Sequence, residues 1–89
     1  MELLGTIDRK YDKQDKETRQ GEKFKSQVFI LTTIERYPRK LAVTATGSIL
    51  DFLDLYVEGN KVKVGLNIWS WEYKEKWFHN VTLKQIQAM

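Results

Sequence analysis

At 89 residues the chain has room for one domain, residues 1–89, with a small core. A hydrophobic content of 42% and an aromatic content of 12% exclude disorder as the default state. The absence of cysteine excludes disulfides and thiolate metal sites, and no apolar run approaches the roughly 20 residues of a spanning helix. The net charge of +3 is unevenly spread: residues 1–40 hold ten Lys/Arg against seven Asp/Glu, residues 41–89 five against five. The excess suits an anionic partner without specifying one. The opening MELLGTIDRK places charges on both sides of a very short apolar run, which fits neither a signal peptide nor a membrane anchor. A cytoplasmic protein with no membrane partner is expected.

Met1 to Lys10 alternates imperfectly and reads as a first strand, with Gly5 permitting close approach of another strand. Tyr11 to Lys23 is polar, charged and without periodicity, hence a loop, one whose Lys13, Lys16, Arg19 and Lys23 could close over phosphates. Phe24 to Ile34 is rich in β-branched and aromatic residues, so it is a second strand with Phe29, Leu31 and Thr33 on one face. Its other face, Val28, Ile30 and Thr32, is also apolar, which points to burial on both sides or a dimer contact. The turn ERYPR, preset by Pro38, leads to a third strand, Lys40 to Thr46, with Leu41, Val43 and Ala45 inward and Lys40, Ala42, Thr44 and Thr46 outward.

Gly47 breaks the pattern, and Ser48 with Asp51 forms an approximate capping box for a short helix, Ser48 to Tyr56. Helical spacing predicts Ile49, Phe52 and Leu53 as its core face. Lys61 to Tyr73 then alternates: Val62, Val64, Leu66 and Ile68 on one face, Lys61, Lys63, Gly65, Asn67, Trp69, Trp71 and Tyr73 on the other. After a turn over Lys74, Glu75 and Lys76, a fifth strand runs from Trp77 to Ile86. Val81 and Leu83 share one of its faces, while Phe78, Asn80 and Thr82 face away. One hairpin thus carries all three tryptophans, beside lysines.

The order strand, loop, strand, strand, helix, strand, strand predicts an all-β, five-stranded Greek-key OB-fold barrel with one helix between strands three and four. In that architecture oligonucleotides lie over strands two and three, between the first and fourth loops. Those are the Tyr11–Lys23 loop and the tryptophan-flanked turn.

The segments KSQVFILTT, RYPRKLAVTATG, EGNKVKVGLNI and WEYKEKWFHNV resemble a family of short, uncharacterised bacterial and phage OB-fold proteins. The shared positions are Gln27 and Phe29, Tyr37 to Lys40, Gly59 to Val64, and Tyr73 with Trp77; Asn60 stands where an Asp is usual. The resemblance implies the fold, with single-stranded DNA binding as the usual inference for it.

Flat rings interleaved with cations are what single-stranded nucleic acid needs, because bases stack on rings and phosphates sit near ammonium groups. The candidate stacking residues are Phe24, Trp69, Trp71, Tyr73 and Trp77. Lys25, Lys40, Lys63, Lys74 and Lys76 are the candidate phosphate contacts, and Thr44 lies on the strand face between them. The competing reading of the same residues is structural: a bulge can slip the parity of a curved strand and turn one or two tryptophans inward. His79, the lone histidine, has no partners for a metal site, and Ser26, Ser48 and Ser70 have no visible base, so no cofactor, metal or catalysis is expected. The expected function is sequence-tolerant single-stranded DNA binding in replication or recombination, with a homo-oligomer, such as a dimer, as a possible assembly. Two alternatives stand beside it: an aromatic protein-interaction module, and an RNA-binding OB-fold, which nothing in the sequence separates from DNA binding.

Overall fold

The computed structural model describes all 89 residues. They form six strands and one short helix in the order β1 (Glu2–Lys10), β2 (Gln14–Glu17), β3 (Lys23–Thr33), β4 (Lys40–Thr46), α1 (Ile49–Leu53), β5 (Lys61–Tyr73) and β6 (Lys76–Ala88). No helix is long and apolar enough to cross a membrane.

Strand pairing makes a ring. β1 lies antiparallel to both β3 and β5, β3 to β4, and β5 to β6. A parallel contact of β4 with β6, at Thr44 and Thr82, completes the circuit. Inside the ring sit the residues that alternate inward: Ile7, Phe29, Leu31, Val43, Ala45, Val62, Val64 and Leu66 are buried, as period-two patterning requires. Each of these side chains larger than alanine contributes roughly 1.5–3 kcal/mol on burial.

Three expectations are corrected. The segment Tyr11 to Lys23 is not wholly a loop, because β2 forms there and pairs with the start of β3, Gln14 opposite Ser26 and Glu17 opposite Lys23. All four β2 residues are exposed, so no hydrophobic alternation marks the strand in the sequence. The helix is shorter than expected and turned: Leu50 and Leu53 are buried, Ile49 is half-buried, and Phe52 points to solvent. Residues 50 and 53 lie within about 60° of each other around a helix of 3.6 residues per turn, and Phe52 falls on the far side. Ser48 makes no side-chain cap. The helix is fastened at its other end, where Lys10 Nζ donates to the carbonyl of Leu53 (3.3 Å), which also accepts from Tyr56 N, and to that of Tyr56 just beyond the helix (2.9 Å).

Helix α1 packs against β4 and β6 at one end of the ring. At the opposite end β5 keeps its hydrogen bonds to the first residue, Leu66 N donating to the Met1 carbonyl at 2.7 Å. Beyond Leu66 the only pairing partner of β5 is β6. The two strands continue as a projecting ribbon in which every residue from Asn67 to His79 is exposed. Two irregularities set its orientation. An extra residue in β6, Lys84, separates the pairs Gly65–Gln85 and Leu66–Leu83. The turn is two residues long, Lys74 and Glu75, both with positive φ (50° and 65°), and joins the directly paired Tyr73 and Lys76.

Gly5 is the position where strand packing requires a missing side chain. A Cβ there would lie 2.6 Å from Leu31 Cγ, and Leu31 is wholly buried. At Gly65 the nearest atom, also 2.6 Å away, is Cγ of Gln85, an exposed and flexible side chain. Gly5→Ala should therefore cost about 1–3 kcal/mol in urea unfolding through overpacking, whereas Gly65→Ala should cost less than about 1 kcal/mol. Equal losses at the two sites would contradict this packing.

Candidate nucleic-acid interface

Cross-strand partners share a face, so the register of β5 with β6 sorts the ribbon's side chains. On the outer face, opposite in parity to the core, lie Asn67, Trp69, Trp71 and Tyr73, paired with Thr82, Asn80, Phe78 and Lys76. On the inner face, in parity with Leu66 and Leu83, lie Ile68, Ser70 and Glu72, paired with Val81, His79 and Trp77. Trp69, Trp71 and Tyr73 are therefore brought together, and Trp77 is on the other side of the ribbon. A three-residue turn would have set Trp77 opposite Tyr73. The two-residue turn shifts the register by one, and a one-residue shift moves every side chain to the other face.

The outer face is an aromatic stripe. Trp71 stacks on Phe78 with centroids 5.7 Å apart and planes 21° from parallel, a contact worth about 0.5–1.5 kcal/mol beyond area burial. Trp69 and Trp71 remain nearly half exposed and Tyr73 more so. Successive rings on one face of a strand are spaced by about 6.7 Å, twice the 3.4 Å rise of stacked bases, so a stretched strand with its bases unstacked matches them. Lys74 Nζ lies 5.3 Å from the Tyr73 ring centroid, and Lys76 is the direct neighbour of Tyr73. Neither lysine takes part in a salt bridge, whereas Lys13, Lys40 and Lys63 each do. Phe78 belongs to this stripe and was not among the sequence candidates, although its shared parity with Asn80 and Thr82 was the signal for it.

The stripe runs onto the ring without a break. Asn67 pairs with Thr82, Thr82 with Thr44, and Thr44 with Val28, all facing outward. Along β3 the same parity leads through Ser26 to Phe24, whose partner on β2 is Lys16. Thr44 thus lies on the same face as the tryptophans, and half-buried Phe24 shares its parity beyond Ser26, which is buried. Lys25 pairs with Asp15 and has the opposite parity to Phe24. Lys40 stands at the far end of β4 and is held 2.9 Å from Asp8. Lys63 lies ten residues, about 33 Å of strand, from Tyr73 and is held 2.9 Å from Glu2. No group of three or more His, Cys, Asp or Glu side chains is gathered as a metal centre.

The hydrogen bond and charge of Lys63 hold the Glu2 carboxyl below its ordinary range, and Lys13, 2.7 Å away, does the same for Asp54. A carboxyl whose folded pKa is lowered stabilises the fold above its unfolded pKa and loses that contribution as the pH falls through the lowered value. Both contributions are therefore present at neutral pH and fade only in acid.

The whole chain superposes on a solved structure of the mitochondrial single-stranded DNA-binding protein of S. cerevisiae. The TM-score is 0.74 and the identity 15%, covering 100% of this chain and 92% of that one. At this identity the likeness is one of fold, an all-β fold of OB type. In sequence, the family described as "Domain of unknown function (DUF3127)" matches residues 2–87, and the chain belongs to that family. A comparison with curated proteins gives no match.

Replacing Lys63 with Met should return the Glu2 carboxyl to the ordinary carboxylate range in an NMR-monitored acid titration. Asp54, which depends on Lys13, should stay low. A Glu2 carboxyl that remains low without Lys63 would contradict the ion-pair assignment.

Proposed function

We propose that the chain binds single-stranded DNA, with little sequence preference, on its outward aromatic surface, and acts in replication or recombination. In this reading the ring of β1, β3, β4, β6 and β5 is a five-stranded Greek-key barrel making up a single domain. β2 is an added strand that extends the β3 edge of the cleft. Bases stack on Trp69, Trp71 and Tyr73, with Phe78 backing Trp71. Phosphates meet Lys74 and Lys76, and the strand continues across Thr44 toward Phe24, with Lys16 beside it and Lys25, on the opposite face of β3, in a smaller part. Lys40 and Lys63, paired with carboxylates at 2.9 Å, have a smaller part. Duplex DNA is excluded because its bases are already stacked and present no free face. A cytoplasmic location belongs to the same reading.

The observation that carries it is the placement of the aromatic stripe. Three exposed rings and two lysines free of carboxylates extend from the strand surface where OB-folds hold oligonucleotides. The similarity of fold to a single-stranded DNA-binding protein supports the same choice.

Titration with a roughly 20-nucleotide poly-dT should quench tryptophan fluorescence, weaken with salt, and have no counterpart with duplex. Trp71→Ala should cost about 1–3 kcal/mol of binding, and Lys76→Ala should lower the salt slope by about 0.7. No quenching at low salt would refute the reading. Tighter binding to poly-U than to poly-dT would move it to RNA.

A further inference from the structure

The ribbon has a second face that the nucleic-acid reading leaves uncovered. Its residues follow the parity of the core: after the buried pair Leu66–Leu83 come Ile68–Val81, Ser70–His79 and Glu72–Trp77. Trp77 is 62% exposed and Ile68 47%. Ile68 also lines a groove at the end of the ring not occupied by α1, with Met1, Leu3 and Leu41 as its apolar wall and Thr33, Glu35, Arg39 and Lys40 as its polar one. We propose that this inner face is a two-fold interface with a second copy of the chain, Trp77 of each copy seating on the other's Ile68 and Val81.

Four features select that occupant. First, a two-stranded ribbon with both faces in water is marginal, and here the turn adds two non-glycine residues at positive φ. Covering only the outer face with nucleic acid would leave Ile68 and Trp77 wet. Second, the inner face carries a carboxylate, Glu72, and no lysine or arginine among its paired residues, so a phosphate backbone finds no cation there, whereas Lys74 and Lys76 flank Glu75 at the tip and attract it to the outer side. Third, the pattern is its own complement. The hydrogen-bonded pair Ser70 Oγ and His79 Nδ1, 2.7 Å apart, lies midway between Trp77 at the tip and Ile68 with Val81 at the base, about 7 Å from each. A two-fold axis through that polar centre lays tip on base twice, as an isologous contact requires. Fourth, three large apolar side chains, Trp77, Met1 and Ile68, are 62%, 70% and 47% exposed on this side of the molecule, the kind of uncovered anchors that centre a self-association surface.

The inference is independent of what the outer face binds. Sedimentation velocity up to about 100 µM should show a dimer for the native chain. Trp77→Lys and Ile68→Asp should each weaken self-association by at least about tenfold while keeping the native far-UV spectrum, since both side chains are substantially exposed. Trp71→Ala, on the outer face, should remain dimeric. Because the chain has no cysteine, Ser70→Cys provides a second readout: on mild oxidation it should give a disulfide-linked dimer, which Trp77→Lys in the same chain suppresses. A native chain that stays monomeric over that range overturns the proposal, as does a dimer that survives both inner-face substitutions. Loss of poly-dT binding by Trp77→Lys with no change in mass would also overturn it, making the inner face a nucleic-acid surface instead.

Discussion

β5 and β6 are paired from Val62–Ala88 at one end to Tyr73–Lys76 at the other, and one register serves two environments along that length. In the first part the pair belongs to the ring, where Val62, Val64, Leu66, Leu83 and Ile86 enter the core. In the second it leaves the ring and carries aromatic rings into solvent. The two parts cannot be adjusted separately, because strand periodicity transmits a shift at either end to every side chain in between. The extra residue at Lys84 and the two-residue turn at Lys74–Glu75 are therefore the fixed points of the molecule. Together they place Trp69, Trp71 and Tyr73 on the side away from the core and Trp77 on the side toward it.

This arrangement separates charge as well as aromatic area. The outer face has lysines at its tip and no carboxylate among its paired residues, while the inner face has Glu72 and the hydrogen-bonded Ser70–His79 pair. Elsewhere three of the lysines are locally neutralised: Lys13, Lys40 and Lys63 are each within 2.9 Å of a carboxylate oxygen. A net charge of +3 is too small to attract an anion by bulk field alone. What distinguishes one surface from another is which lysines are left without a partner beside exposed rings.

Much of this was legible in the residues. Alternation placed Val62, Val64, Leu66 and Val43 inward and Trp69, Trp71 and Tyr73 on the opposite face, whereas the second strand, apolar on both faces, left open that Phe29 and Leu31 mark its core side. Gly5 was expected at a close approach and sits against Leu31. What escaped depended on single-residue counts or on contacts distant in sequence. Lys76 reads as part of the turn because Lys-Glu is not a sequence that favours positive φ, so the expected turn has three residues instead of two and Phe78 loses its pairing with Trp71. β2 is entirely polar and owes its existence to the edge of β3. The helix was rotated in the sequence reading because its fastening comes from Lys10, more than forty residues away, rather than from Ser48.

The two-faced ribbon is the central claim, and the three tryptophans report on it individually. Indole N–H resonances, assigned by single substitutions and followed while a dT oligonucleotide is added, distinguish the faces in one experiment. The account predicts that the Trp69 and Trp71 signals shift or broaden with added oligonucleotide while Trp77 is unmoved. Perturbation of Trp77 alone, or of none of the three at low salt, would contradict it.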